Sequence, residues 1–198
     1  MAGWSLHKGS AVHLPLENVD TDQLIPARFM SVPRCDGYGP YLMHDLRRGS
    51  DGALLADFPL NGSDASILIS GRNFGSGSSR EAAVYALVDA GYLAVIAPSF
   101  GDIFASNAVN NGLLPAVLPQ AQIDGIVRAL DEGGQMVIDL AAGNVSVGAV
   151  MHPLQLDLTW REKLINGWDD IDLSMKEADR IAAFRADRVA LGWVWPRL

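Results

Sequence analysis

The chain has 198 residues, of which 49% are hydrophobic and 19% charged, a size and balance that suit one domain with a real core and exclude a disordered chain. Its formal net charge of −8 argues against a nucleic-acid binder or a protein drawn to an anionic membrane. Any anionic ligand must therefore be held by a few local groups against an unfavourable overall field. The single cysteine, Cys35, excludes an internal disulfide and any cysteine-rich metal or iron–sulfur site built by this chain alone. The opening MAGWSLHKGSAVHLP has no apolar h-region, and no apolar run is long enough to span a bilayer. The expectation is a soluble, unprocessed, cytoplasmic protein.

Taken in order, the chain reads as a single domain over 1–198. It has an irregular N-terminal part to about residue 65, an α/β core over about 66–150 and a helical tail over about 160–198. Turn-forming residues crowd 33–40 (PRCDGYGP), which is expected to be a loop free to move. Ser66–Ser70 (SILIS) has the β-branched character of a strand. After a glycine-rich link, Ala83, Leu87 and Ala90 recur at helical spacing, with Gly91 as the C′ residue. Leu93–Ala97 reads as a buried strand, Asp102–Asn110 as a short helix, Leu113–Leu118 as a strand and Gln122–Leu130 as a helix. QMVIDL and NVSVG form a hairpin joined by Ala-Ala-Gly. This alternation predicts an α/β layered domain with partly parallel sheet. In the tail, Ser174 and Glu177 have capping-box spacing, and Ala178, Ile181, Ala182 and Val189 share a helical face with Arg185. Arg185 admits two readings, an anion ligand or a snorkelling arginine, and the second is preferred. Trp193 and Trp195 are expected to pack the tail onto the body.

Gly71–Glu81 (GRNFGSGSSRE) is the most informative segment, because it joins a strand to a helix where open α/β sheets place ligands. Gly75 and Gly77 let backbone N–H groups approach a ligand. Ser78 and Ser79 are expected at the helix start, where unsatisfied N–H groups and the dipole favour an anion. Arg80 adds a planar fork suited to a carboxylate or phosphate. The competing readings are a common glycine-rich turn, serine N-caps, and an Arg80 paired with Glu81 or another acid. The string is neither a dinucleotide fingerprint nor a P-loop.

Asn18–Arg28 (NVDTDQLIPAR) contains an Asp-Thr-Asp turn. Asp20 taken alone reads as structural, while Thr21, Asp22 and Arg28 can orient a polar ligand; calcium is poorly supported. In Ala97–Phe104 (APSFGDIF), Asp102 is read as a helix cap. The histidines show no metal-ligand spacing; of the four, His44 near the Gly/Tyr-rich loop is the one to watch, with a surface histidine the preferred reading. Cys35 carries no nucleophile motif.

Together, NVDTDQLIPARF, GRNFGSGSSRE, APSFGDIF and NGLLP resemble the small subunits of 3-isopropylmalate dehydratase, in the aconitase superfamily. The order is kept over nearly the whole chain, and the tail, with its Glu, Arg and Trp-x-Trp-Pro pattern, is similar as well. The resemblance implies a three-layer β/β/α swivelling domain that closes over a large subunit carrying a [4Fe-4S] cluster, with no cofactor on this chain. The implied reaction interconverts 2-isopropylmalate and 3-isopropylmalate, a small dicarboxylate pair, by dehydration and rehydration in leucine biosynthesis. Ser78 matches the serine that, as an alkoxide, removes a proton next to a carboxylate. Ser79 and Arg80, with Gly77, match substrate-carboxylate ligands. Asp20, Thr21 and Asp22 match a motif that lines or supports the cleft. Arg28 to Val32, including Ser31, match the loop that contacts the substrate's variable group.

Two positions depart from the pattern. Ala82 stands where many relatives have His, and Ser31 stands where they commonly have a basic residue. A less charged loop suits an apolar substituent. The alternatives are a related dehydratase for another 2-hydroxy diacid, such as a citramalate-like substrate, and a non-catalytic anion-binding module.

Overall fold

The computed structural model describes residues 2–131, 133–190 and 192. Four parallel strands make the central layer, in the order β2 (Ala11–Leu14), β3 (Ile67–Ser70), β4 (Ala94–Ala97) and β5 (Leu114–Val117). The sequences of β3 and β4, ILIS and AVIA, are apolar almost throughout because both of their faces are covered. Leu68, Val95 and Ala97 pack with Ala83, Val84 and Leu87 of α2 (Glu81–Asp89) and with Phe104 and Ala108 of α3 (Asp102–Asn110). Ile67, Ile69, Ala94 and Ile96 alternate with them and pack against a second sheet through Met136, Ile138, Val145 and Val147. That sheet is antiparallel, in the order β1 (Leu6–Gly9), β6 (Met136–Asp139), β7 (Asn144–Val147) and β8 (Val150–Pro153). Ile123 and Ile126 of α4 (Gln120–Asp131) join the same core. The architecture is the three-layer β/β/α arrangement expected, with the parallel strands all in one sheet and the antiparallel strands in the other.

Differences from the sequence reading concentrate where periodicity is weak. The first 65 residues are not wholly irregular, since they contain β1 and β2. Each of these is a four-residue edge strand, and the chain changes sheets between them at Ser10, whose carbonyl accepts from Ser66 N and Ile67 N. His7, Lys8 and His13 lie on the partly solvated sides of these edges, which erases an apolar alternation. Strand β8 was likewise not anticipated. The 33–40 segment folds as two 3-10 turns, Arg34–Asp36 and Gly39–Tyr41.

The tail forms α5 (Leu158–Asn166), α6 (Asp170–Met175) and α7 (Ala178–Ala190). Ser174 is not a cap: it lies inside α6 and its Oγ donates to the Asp170 carbonyl, while the capping box belongs to Asp169 and Asp172. Glu177 pairs with Arg180 at 2.8 Å. The apolar face of α7 and Arg185 are exposed. Trp193 and Trp195 lie outside the described residues. Among the described residues no helix is long and apolar enough to cross a membrane.

Candidate active site

The three segments singled out in the sequence leave the C-terminal ends of the adjacent parallel strands β2, β3 and β4, where open α/β sheets bind ligands. Backbone hydrogen bonds stitch them together. Gly75 N donates to the Val19 carbonyl at 2.7 Å, Thr21 N to Ser76 O at 2.9 Å, Phe74 N to Ser99 O at 3.0 Å and Gly101 N to Phe74 O at 2.9 Å. Gly75 sits at φ +72° with the Phe104 ring directly over its α-carbon, so a Cβ there would overlap the ring. Gly77, at φ +92°, reverses the chain against Asp20 and Thr21.

This path presents Ser78 and Ser79 to solvent. The Ser78 carbonyl accepts from Thr21 Oγ1 at 3.0 Å and from Arg80 N at 2.7 Å. The second bond closes a tight turn centred on Ser79. Neither serine is part of the helix: α2 begins at Glu81, and its N-cap is Arg80 in an extended conformation, with no side-chain cap. The serines therefore precede the amino end of α2, still on the side where its first amides and dipole favour negative charge. Their hydroxyls make no side-chain hydrogen bond among the described residues.

Arg80 pairs with Asp22, not with Glu81. Asp20 caps α1 (Thr21–Leu24), accepting from Gln23 N at 2.7 Å in a reciprocal capping box, so its carboxylate serves the turn. Thr21 is 2% exposed. The Asp-Thr-Asp motif thus divides its work: Asp20 shapes the turn, Thr21 holds the Ser78 peptide, and Asp22 holds the arginine.

A concavity of about 210 Å³ opens beside Ser78, lined on one side by Gly75 to Ser78 and on the other by Gly101 to Phe104. The sequence marks that second wall as structural, whereas the fold brings it to face Ser78. Gly101, not Asp102, is the N-cap of α3, and Asp102 occupies the first turn facing the concavity. Ile103 beside it is 55% exposed. An exposed isoleucine in APSFGDIF was the available signal, since its period does not match the buried positions of α3.

Arg28 and Ser31 lie on the 3-10 turn Ala27–Ser31, outside the lining of this concavity. Both Arg28 terminal nitrogens engage the Asp45 carboxylate, and its guanidinium covers the Phe29 ring at 4.5 Å. Ser31 Oγ donates to the Arg28 carbonyl at 3.1 Å. His44 Nδ1 lies 3.0 Å from Asp45 Oδ1. Hydrogen bonds from Arg28 and then His44 hold the Asp45 carboxyl down at about 2. Cys35 is exposed. Among the described residues no group of three or more His, Cys, Asp or Glu could hold a metal ion, and one thiol does not meet the ligand demand of a [4Fe-4S] cluster.

Comparison with known proteins identifies the family. Residues 1–121 match the Aconitase C-terminal domain family. The 3-isopropylmalate dehydratase small subunit of Shouchella clausii is 42% identical over 183 residues, covering 90% of this chain and 93% of that protein. Its counterpart from Chloroflexus aurantiacus is 44% identical over 185 residues, covering 90% and 92%. The crystal structure of 3-isopropylmalate dehydratase from Methanocaldococcus jannaschii superposes with a TM-score of 0.59 at 26% identity, covering 91% of this chain and 99% of that one. With matches of this extent on both sequence and fold, the chain belongs to the family of 3-isopropylmalate dehydratase small subunits, built on the aconitase C-terminal domain.

Proposed function

We propose that this chain is the small subunit of a hydro-lyase that interconverts 2-isopropylmalate and 3-isopropylmalate in leucine biosynthesis, active only with a large subunit. The observation that carries the reading is Ser78: an exposed hydroxyl on a turn pinned by Thr21, at the carboxyl edge of the parallel sheet and beside the amino end of α2. In this role Ser78 Oγ, as an alkoxide, takes the proton from the carbon next to a carboxylate. The C–O bond on the neighbouring carbon breaks, and the proton and departing hydroxide together account for the one water lost. Rehydration in the opposite sense returns the proton to the other carbon. A serine alkoxide is costly in water and needs fixed positive potential, here from the α2 amides and Arg80.

Gly77, Ser79 and Arg80 bind the substrate carboxylate, with Asp22 orienting the guanidinium until substrate arrives. Arg28 and Ser31 belong to the loop facing the substrate's variable group. The iron–sulfur cluster of the holoenzyme belongs on the large subunit, because one cysteine here cannot hold it.

The test is anaerobic co-purification with a 3-isopropylmalate dehydratase large subunit, followed by hydration of isopropylmaleate, with each subunit alone as control. Activity only in the mixture is expected, and Ser78→Ala should abolish it while assembly survives. Near-full activity of Ser78→Ala would sink the assignment of the base. An inactive complex would redirect the reading to another 2-hydroxy diacid, and no complex to an anion-binding module.

A further inference from the structure

The last residue of α2 is an aspartate, Asp89. A carboxylate there faces the negative end of the helix dipole, so the helix itself does not account for it. Its partners lie in the 33–40 segment. Asp89 Oδ2 accepts from Arg34 Nη1 at 2.7 Å and from the Tyr38 backbone N–H at 2.7 Å, while Oδ1 accepts from Arg34 Nη2 at 3.0 Å. The Arg34 guanidinium also covers the Tyr85 ring of α2 at 4.3 Å and the Tyr38 ring at 5.6 Å. Gly39 seats directly on the helix end, where a Cβ would fall 2.6 Å from the Asp89 carbonyl oxygen. Tyr38 Oη in turn donates to the Val32 carbonyl at 3.0 Å.

An unbroken chain of contacts therefore runs from the carboxyl end of α2 to Val32, the C-cap of the Ala27–Ser31 turn. The other end of that turn is tied down by Arg28 and Asp45. The same helix carries Arg80 at its N-cap. Nine helical residues form a rigid spacer of roughly 13 Å, with the carboxylate-binding arginine at one end and the anchor of the 27–32 segment at the other.

We propose that Arg34 and Asp89 are positioning residues that set the distance between Arg80 and the loop facing the substrate's variable group, and so govern which substituent is accepted. This rests on the functional reading above. A bidentate ion pair at the surface contributes little to global stability, but losing a geometric constraint near a substrate is felt in catalysis.

The test compares Asp89→Asn and Asp89→Ala in the full chain assembled with its large subunit. Asp89→Asn keeps an acceptor for Tyr38 N–H but loses the charge, so its effect should be the smaller of the two. For Asp89→Ala, KM for 2-isopropylmalate should rise about tenfold with kcat within about twofold. The preference for 2-isopropylmalate over citramalate should fall in the same order, and Arg34→Lys should lie between wild type and Arg34→Ala. Amide hydrogen exchange on the isolated chain should rise in residues 27–41 and not in the central strands. A purely structural role would lower kcat/KM for both substrates equally and leave their ratio unchanged, which would overturn the inference. Inactivity of the wild-type mixture on isopropylmalate would overturn the functional reading and this inference with it. An active wild type with unaltered variants overturns the inference alone.

Discussion

Thr21 and Ser78, 57 residues apart, are joined by a hydrogen bond in which the buried threonine hydroxyl donates to the serine carbonyl at 3.0 Å. The bond fixes the peptide that carries the hydroxyl proposed as the base, while the hydroxyl itself stays exposed. Thr21→Val keeps the shape and deletes the donor. The Ser78 carbonyl retains its bond from Arg80 N, so the stability cost should be only about 1 kcal/mol. Catalysis should suffer more: kcat of the assembled enzyme is expected to fall about tenfold with KM little changed. Steady-state kinetics beside a thermal melt check this, and an unaltered kcat would show that Thr21 serves the fold alone.

Gly75 tests how the loop is built. Both its positive φ and the overlying Phe104 ring oppose a side chain, whereas Gly91, at φ +95°, has open space around its α-carbon. Gly91→Ala should therefore cost about 1 kcal/mol, the backbone penalty alone. Gly75→Ala adds displacement of a packed ring and should cost about 3 kcal/mol or more. Urea unfolding of the two variants measures the difference directly. Equal losses would mean that Phe104 moves aside freely.

The Arg28–Asp45–His44 group has a defined pH response. The Asp45 carboxyl is held at about 2, below its ordinary 3.8, by hydrogen bonds first from Arg28 and then from His44. A depressed carboxylate favours the folded state at pH above its unfolded value and loses that contribution as pH falls through the folded value. The contribution is thus complete at neutral pH and disappears between about 4 and 2. Both partners are more than half exposed, so the global effect is small and the local titration is the sharper readout. Arg28→Ala should move the Asp45 midpoint upward toward 3.8 in a carboxylate NMR titration. A midpoint that stays put would assign the shift to His44.

What the sequence made legible follows from range. Strand β3 and helix α2 were readable because SILIS and the Ala83, Leu87 spacing are local patterns with buried consequences. The glycines of the 71–77 turn were readable because backbone conformation is a property of single residues. Pairings were not. Arg80 to Asp22 spans 58 positions and Arg34 to Asp89 spans 55, and nothing in either segment names its partner. Placing Ser78 at the helix start failed because the Arg80 N–H turns back to Ser78 and delays the helix to Glu81. Edge strands β1 and β2 escaped because burial in them does not follow polarity: Leu6 is exposed, while His7 is half-buried and bonded to Ser66 Oγ.

The wall opposite Ser78 yields the last prediction. Ile103 projects from the first turn of α3 into the lining of the concavity while remaining 55% exposed. A large apolar side chain left in water beside the hydroxyl proposed as the base suits contact with an apolar substituent brought by the substrate. Since little packs against it, Ile103→Ala should leave thermal stability unchanged within about 0.5 kcal/mol. Removing the apolar contact should reduce kcat/KM for 2-isopropylmalate about tenfold, the loss of about one to two kcal/mol of apolar burial. Citramalate, with a methyl in place of isopropyl, reaches less far and should be affected less. Kinetics on both substrates, with the dissociation constant of the two subunits measured in parallel, separates the cases. A weakened complex with unchanged kcat/KM at saturating large subunit would place Ile103 against the partner and not against the substrate.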